Sequence, residues 1–374
     1  TTATTTSNVG TYPIAVTLGS NPNYTVTKTD ATLTVAPKTA TVVAADKTKV
    51  YGDVNPALTA TVTGAINGDT INYTLATTAT TTSNVGNYPI VATLGSNPNY
   101  TVTKTDANLT VTPKTATVVA ADKTKVYGDV NPALTATVTG AINGDTINYT
   151  LATTATTTSN VGTYPIVATL GSNPNYTVTK TDANLTVTPK TATVVAADKT
   201  KVYGDLNPAL TAVVTGAVNG DTINYTLATT ATTASNVGTY PIVATLGSNP
   251  NYTVTKTDAT LTVTPKTATV VAANKTKVYG EANPALTATV TGAINGDTIN
   301  YTLATTATTT SNVGTYPIVA TLGSNPNYTV TKTDATLTIT PKTATVVVAD
   351  KTKVYGDLNP ALTAVVTGAV NGDT

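Results

Sequence analysis

Seven residue types are absent from this chain of 374 residues: cysteine, methionine, tryptophan, phenylalanine, histidine, arginine and glutamine. Because there is no cysteine, no disulfide can form, and an oxidising compartment is neither required nor excluded. The lack of histidine and cysteine excludes Ser-His and Cys-His nucleophiles and the usual zinc sites. The chain also lacks an apolar run of about eighteen residues, so we expect no membrane insertion in this segment.

Charge is scarce and balanced. Lysine and arginine total 20 and aspartate and glutamate total 19, which leaves a net charge of +1. A nearly neutral chain has little attraction for nucleic acid or an anionic membrane, so we expect neither as a partner. Hydrophobic residues make up 40% of the chain and alternate with threonine, which favours a folded protein over a disordered one.

The residues that are present repeat. The stretch TKVYGDVNPALTATVTG, or a close variant of it, occurs at 48–64, 124–140, 200–216, 276–292 and 352–368. The period is 76 residues, as the positions of Pro37 and Pro113 show (113 − 37). Known helical solenoid repeats run ~30–45 residues, so each of these units is long enough to be a small domain with its own core. We predict complete modules at 37–112, 113–188, 189–264 and 265–340, a partial module (C-terminal half) at 1–36 and a partial module (N-terminal half) at 341–374.

Both ends of the chain fall inside a repeat. Five periods would give six residues more than the 374 present, so we interpret the chain as an excerpt of a longer array. Each half-module should expose an unpaired sheet edge and an apolar face, which the matching half of another chain would complete. The linker around Pro113 has no Gly or Ser stretch, so we expect successive modules to be stiffly connected.

Residues 113–188 show the strand pattern of one unit. Alternating segments such as 133–140 and 163–171 are separated by turn signals every eight to twelve residues, which is typical of a β-sandwich. The apolar parity flips between Val178 and Ala183, which predicts a hairpin turn at Lys180-Thr181-Asp182. The fold class predicted is all-β: a tandem array of immunoglobulin-like β-sandwich modules of about seven short strands each.

One tyrosine stands where such sandwiches place a corner tyrosine, whose hydroxyl bonds to nearby backbone. Tyr176 follows a turn and begins the next-to-last strand of its unit; the alternative is a simple edge aromatic. Its counterparts are Tyr24, Tyr100, Tyr252 and Tyr328.

Several short motifs recur in a fixed order in every copy. In the unit 113–188 they are Tyr127-Gly128-Asp129, Asn131-Pro132, Asn143-Gly144-Asp145, Val161-Gly162-Thr163-Tyr164-Pro165 and Asn175-Tyr176. This order resembles the MBG-type repeat of the YGX kind, and the resemblance covers the whole chain. It implies small Ig-like modules in large bacterial cell-surface or secreted adhesins, and therefore an extracellular location. It implies no catalytic or ligand-binding residues.

We predict no catalytic, cofactor-binding or metal site, no cofactor and no enzymatic activity. The four acidic positions of a unit are scattered over loops, whereas calcium needs several converging oxygens; they are Asp122, Asp129, Asp145 and Asp182. The lysines are interpreted as solvated surface charge. A covalent isopeptide bond is a further hypothesis, with Lys180 as the candidate because it shares the inward parity of Val178.

Three functions fit a chain that repeats itself so closely. The first is a structural stalk, in which neighbouring modules of one chain contact each other and hold a distal adhesive domain away from the cell. The second is weak multivalent binding of host or matrix glycans, with avidity from the array. The third is assembly with identical chains into an extracellular fibre. The sequence favours the stalk, because sugar sites normally need exposed aromatic residues and the tyrosines fall mostly on inward or turn positions.

Overall fold

The computed structural model describes all 374 residues, and every element in it is a β-strand. The chain forms two compact units, Thr1–Thr188 and Pro189–Thr374. No helix in the chain is long and apolar enough to cross a membrane. Because every element is a β-strand, the all-β prediction is confirmed.

The first unit contains sixteen strands. They are β1 (Gly10–Ile14), β2 (Ala31–Val35), β3 (Lys38–Ala44), β4 (Lys47–Val50), β5 (Ala60–Thr63), β6 (Tyr73–Thr77), β7 (Gly86–Leu94), β8 (Tyr100–Thr105), β9 (Ala107–Thr112), β10 (Lys114–Ala120), β11 (Lys123–Val126), β12 (Ala136–Thr139), β13 (Tyr149–Thr153), β14 (Gly162–Leu170), β15 (Tyr176–Thr181) and β16 (Ala183–Thr188).

The second unit repeats this order with sixteen more strands. They are β17 (Lys190–Ala196), β18 (Lys199–Val202), β19 (Ala212–Thr215), β20 (Tyr225–Thr229), β21 (Gly238–Leu246), β22 (Tyr252–Thr257), β23 (Ala259–Thr264), β24 (Lys266–Ala272), β25 (Lys275–Val278), β26 (Ala288–Thr291), β27 (Tyr301–Thr305), β28 (Gly314–Leu322), β29 (Tyr328–Thr333), β30 (Ala335–Thr340), β31 (Thr345–Val348) and β32 (Ala364–Thr367).

Each complete repeat is a sandwich of a three-stranded and a four-stranded sheet. In the repeat that begins at β10, the orders are β12-β10-β15 and β11-β16-β14-β13. The first two strands each pair in parallel with one of the last two, β10 with β15 and β11 with β16. The repeats that begin at β3, β17 and β24 have the same two sheets. The tandem β-sandwich prediction is confirmed, while the predicted module bounds stay a prediction about independently folding units.

The core lies between the two sheets and is built from small and β-branched side chains. Val118 packs against Ile147 at one end of the sandwich, and Ile166 packs near Leu185 at the other. Val118, Ile166 and Leu185 have no exposed surface. Alternation explains this burial, because every second side chain of a strand points to the same face of its sheet.

The predicted hairpin at 180–182 is wrong. β15 and β16 are separated by one residue, Asp182, but they belong to different sheets. The parity flip that predicted the hairpin has another cause: the chain crosses from one layer to the other, and its inward direction reverses because the core now lies on the opposite side. A crossing and a tight turn give the same sequence pattern.

The partial repeats at the two ends form only one two-stranded sheet each, β1 with β2 and β31 with β32. Large apolar side chains are exposed there, as the prediction for an incomplete sandwich requires. Tyr24 is 79% exposed and Leu358 is 94% exposed.

Candidate functional site at the contact between successive repeats

The acidic residues of a repeat do not converge. In the repeat 113–188, Asp122 accepts a backbone hydrogen bond from Asn184, and Asp182 accepts one from Ala168. Asn274 replaces the first of these acids in the fourth complete repeat and accepts the equivalent bond from Thr336. These two carboxylates therefore serve as hydrogen-bond acceptors within their own repeat, and no group of three or more His, Cys, Asp or Glu residues lies together.

Lys180 lies at the surface. Its side chain is 37% exposed and its Nζ is 2.9 Å from Asp182 Oδ1. The lysine that the structure buries is a different one: Lys125 and its counterparts Lys49, Lys201 and Lys277 are only 5–7% exposed. Lys180 was chosen for an isopeptide bond because of its inward parity. It lies near the end of its strand, where inward parity does not lead to burial.

The motifs that recur in every copy meet where one repeat contacts the next. In the first unit, one side of this contact is the turn Tyr51-Gly52-Asp53, which directly follows β4. The Tyr51 backbone N–H donates to the carbonyl of Thr112, and the Asp53 N–H donates to the carbonyl of Val50. These bonds fix the turn to the last strand of its own repeat and direct it towards the next repeat.

The other side of the contact is an aspartate that receives two tyrosine hydroxyls. Tyr51 donates to Asp145 Oδ2 at 2.9 Å, and Tyr176 of the same repeat as Asp145 donates to that oxygen at 2.7 Å. The two rings meet edge to face, with centroids 5.6 Å apart and planes at 74°. Edge-to-face contact is the preferred arrangement of an aromatic pair. Tyr51 is only 4% exposed.

Gly52 lets the two repeats approach closely. A Cβ atom on Gly52 would lie 1.8 Å from Cδ1 of Ile142, and Gly52 also has a φ of 87°. Both the neighbour and the left-handed backbone conformation therefore require glycine here. The second residue of the Tyr-Gly-Asp motif is thus explained by packing against a side chain of the following repeat.

A second set of hydrogen bonds joins the same two repeats. The Val85 N–H donates to the side-chain oxygen of Asn175 at 3.0 Å, and the Asn175 amide donates to the side-chain oxygen of Asn84 at 2.9 Å. Asn84 and Val85 belong to the Ser-Asn-Val-Gly motif, and Asn175 belongs to the Asn-Tyr motif of the next repeat. Contact through two separate groups restricts rotation as well as separation.

The second unit contains an identical contact. Tyr203 and Tyr328 both donate to Asp297, at 2.9 and 2.6 Å, and their ring centroids are 5.6 Å apart. A Cβ atom on Gly204 would meet Ile294, and Asn327 bonds to Val237 in the same way as Asn175 bonds to Val85. Recurrence in both units shows that the repeat sequence itself specifies the contact.

The buried lysine holds the turn in place from inside its own repeat. Lys49 Nζ donates to the backbone carbonyls of Asp53, at 3.0 Å, and of Thr80, at 2.5 Å. One bond fixes the Tyr-Gly-Asp turn, and the other fixes the loop that leads to Asn84. The ammonium group therefore ties together the two segments that touch the next repeat.

Burial and the neighbouring aspartate affect the tyrosines of the contact. Burial raises the pKa of the Tyr176 hydroxyl, and the hydrogen bond to Asp145 raises it further. The same two causes, with Asp297 as the acceptor, raise the pKa of Tyr328. Both hydroxyls therefore remain protonated donors at neutral pH.

The corner assignment of Tyr176 is wrong. Its hydroxyl accepts from the Ile142 backbone N–H, 34 residues earlier in the chain, and donates to Asp145. The corner geometry belongs to Tyr164, whose hydroxyl donates to the carbonyl of Asn160 four residues upstream at 2.9 Å. Tyr12, Tyr88, Tyr240 and Tyr316 make the equivalent bond. Sequence reasoning expected neighbouring modules to contact each other but did not identify the residues that form the contact, although their motifs were recognised.

The sequence matches one family over most of its length. The family described as MBG domain (YGX type) matches residues 1–34, 40–110, 116–186, 192–262, 268–338 and 344–374. No protein of curated function is similar in sequence to the chain.

Two solved structures show a distant likeness. Drosophila N-cadherin EC1-4 is 10% identical, covers 81% of this chain and 100% of its own, and has a TM-score of 0.23. The Escherichia coli adhesin FdeC is 14% identical, covers 60% of this chain and 96% of its own, and has a TM-score of 0.20.

Proposed function

Because the chain belongs to the MBG domain family of the YGX type, with six matches in tandem, we propose that it is the stalk of a bacterial cell-surface or secreted adhesin. In this role the repeats are non-enzymatic spacers that hold a distal adhesive domain away from the cell. The location is extracellular.

The observation that carries this proposal is the specific contact between successive repeats. A spacer must keep its repeats at a fixed separation and orientation, which a flexible linker would not do. Tyr51 and Gly52 dock on the next repeat at one place, and Asn175 joins the two repeats at another. Only Pro113 separates β9 from β10, which leaves the covalent connection little freedom.

The same contact supports fibre assembly as a second candidate. The turn at Tyr51 and the acceptor at Asp145 are unlike surfaces, so the contact is heterologous and does not close on itself. A free turn of one chain therefore fits a free acceptor of an identical chain. Sedimentation velocity over a wide concentration range separates the candidates, because fibre assembly predicts growing species and a stalk predicts a monomer. Glycan binding stays a prediction, and a glycan array screen tests it.

The stalk proposal is tested by placing the array between a cell-surface anchor and a reporter domain. Arrays of two, three and four complete repeats should move the reporter away from the cell in equal steps. The matched control replaces Gly52 and Gly204 by arginine in the otherwise identical array of four repeats, which blocks both contacts and should make the spacing irregular. If the reporter distance does not depend on repeat number, the proposal fails.

A further inference from the structure

The tyrosine pair at each contact has the geometry of a covalent modification site. Tyr51 and Tyr176 come from different repeats, yet both hydroxyls donate to one oxygen of Asp145. The hydroxyl oxygens can therefore be no farther apart than two hydrogen bonds laid end to end. The ring carbons ortho to the hydroxyls flank this meeting point, and they are the carbons at which tyrosyl radicals couple.

We propose that Tyr51 with Tyr176, and Tyr203 with Tyr328, are sites of dityrosine cross-linking between successive repeats when the protein meets a one-electron oxidant. The product joins the two repeats by a carbon–carbon bond in addition to the polypeptide chain. The inference goes beyond the spacer role and does not depend on it.

The oxidant is the only co-reactant that the cross-linking reaction needs from outside the protein. Each tyrosine gives one electron to one equivalent of oxidant and its phenolic proton to Asp145, which passes it to water. The two phenoxyl radicals join at ortho carbons, and the hydrogens on those carbons move to the oxygens and restore both hydroxyls. The net change is the loss of two hydrogens for each cross-link, as two electrons and two protons.

Burial decides which partner a radical meets. Tyr51 is 4% exposed and Tyr176 is half-buried, so a radical on Tyr51 has the Tyr176 ring beside it and no access to another chain. The carboxylate assists because a hydrogen-bonded base takes the proton as the electron leaves. Tyr176 provides the route for the electron, since it is the more exposed ring of the pair.

The same molecule contains internal controls. Tyr100 donates to Asp69 at 2.7 Å, as Tyr176 does to Asp145, but no second tyrosine ring lies against it. A cavity of about 230 Å³ lies beside Tyr100 instead. Tyr24 and Tyr355 are exposed, so neither is held inside a contact between repeats. These three residues should give no cross-link within a chain.

The experiment treats the full chain, at low concentration, with photo-excited tris(bipyridine)ruthenium(II) and persulfate. Monomer is isolated, digested with trypsin and sequenced by mass spectrometry. The peptide that carries Tyr51 has Asn at residue 87, and the peptide that carries Tyr176 has Thr at the equivalent residue 163. The two peptides therefore differ in mass. We expect cross-linked peptides that join Tyr51 to Tyr176 and Tyr203 to Tyr328.

Three variants distinguish a built site from random oxidation. Tyr51→Phe should remove the first cross-link and leave the second, and Tyr203→Phe should do the reverse. In each variant, the cross-link that remains shows that the chain is still folded. Asp145→Asn keeps both rings and should lower the yield at Tyr51–Tyr176 severalfold relative to Tyr203–Tyr328. The proposal is overturned if the monomer contains no dityrosine, if the links involve Tyr24, Tyr100 or Tyr355 instead, or if Tyr51→Phe leaves the yields unchanged.

Discussion

Tyr51 and Tyr355 occupy the same position of the repeat, but Tyr51 is 4% exposed and Tyr355 is fully exposed. The local turn is nevertheless the same. Gly52 and Gly356 have φ values of 87° and 94°, and each turn is closed by an equivalent hydrogen bond. Four residues therefore suffice to specify the turn, while the burial of its tyrosine requires the neighbouring repeat.

Strands behave differently from turns in this comparison. Residues 100–105 form β8, whereas the equivalent residues 24–29 form no strand. The partner of β8 is β3, and the partial repeat at 1–36 contains no equivalent of β3. In the same way 47–50 form β4 while 351–354 form none. Threonine and valine favour strands, but a strand exists only where its ladder is completed.

The largest expected effect comes from adding one methyl group at the contact. Gly52→Ala should lower the free energy of unfolding by ~2–5 kcal/mol, because it combines a strained φ with overpacking against Ile142. Gly356→Ala is the matched control, since Gly356 has the same φ and nothing within 4 Å of the added Cβ. It should cost ~1–3 kcal/mol, from backbone strain alone.

Amide hydrogen exchange measures both variants, because it reports local opening around each turn separately. Gly52→Ala should also raise exchange at Ile142 and Asp145, in the next repeat, whereas the effect of Gly356→Ala should stay local. Equal effects of the two substitutions would mean that packing against Ile142 contributes nothing.

The buried lysine gives the next largest effect. Lys49→Met keeps most of the side-chain volume but leaves the carbonyls of Asp53 and Thr80 without their donor. We expect the free energy of unfolding to fall by ~1–3 kcal/mol for each unsatisfied carbonyl. Lys353 is exposed and bonds only to the carbonyl of Asp357, at 3.3 Å. Lys353→Met should therefore change stability by less than about 0.5 kcal/mol. Thermal unfolding followed by circular dichroism compares the two, and a silent Lys49→Met would contradict the role given to the ammonium group.

The sequence predicted the fold well and the contact poorly, for physical reasons. Strand alternation and turn residues are local signals, so the sandwich could be predicted. The pairing of β10 with β15, and the crossing at Asp182, depend on residues far apart in the chain. The parity of Lys180 and Lys125 did not reveal which lysine is buried, because burial depends on the loop at Thr156 that covers one of them. The nearly invariant Tyr-Gly-Asp motif was the one signal of a contact, but the sequence alone does not show what its tyrosine packs against.

Removing one hydroxyl should have a smaller effect than either change above. Tyr51→Phe keeps the edge-to-face ring contact and loses one hydrogen bond to a carboxylate, so we expect a loss of ~1.5–3 kcal/mol at the contact. Tyr355→Phe removes a fully exposed hydroxyl and should change nothing measurable. Hydrogen exchange at Asp145 is again the measurement. Protection that is unchanged in Tyr51→Phe would show that the rings alone hold the repeats together.

The smallest effect is that of pH, and its sign differs at the two ends of the scale. The pKa of Tyr176 is raised above its ordinary value of 10.0, by burial and by Asp145. A raised pKa in the folded state gives stability that is complete below pH 10 and is lost as the pH rises through the pKa of the folded state.

At the acidic end, the pKa of Asp182 is lowered below 3.8 by the Lys180 ammonium and the Ala168 N–H. Its contribution is complete above pH 3.8 and is lost as the pH falls through the folded value. Melting temperatures from pH 2 to 11 should therefore fall at both extremes, with Tyr176→Phe reducing only the alkaline fall and Asp182→Asn only the acidic one. An alkaline fall that persists unchanged in a Tyr176→Phe, Tyr328→Phe double variant would assign it to groups outside the contact.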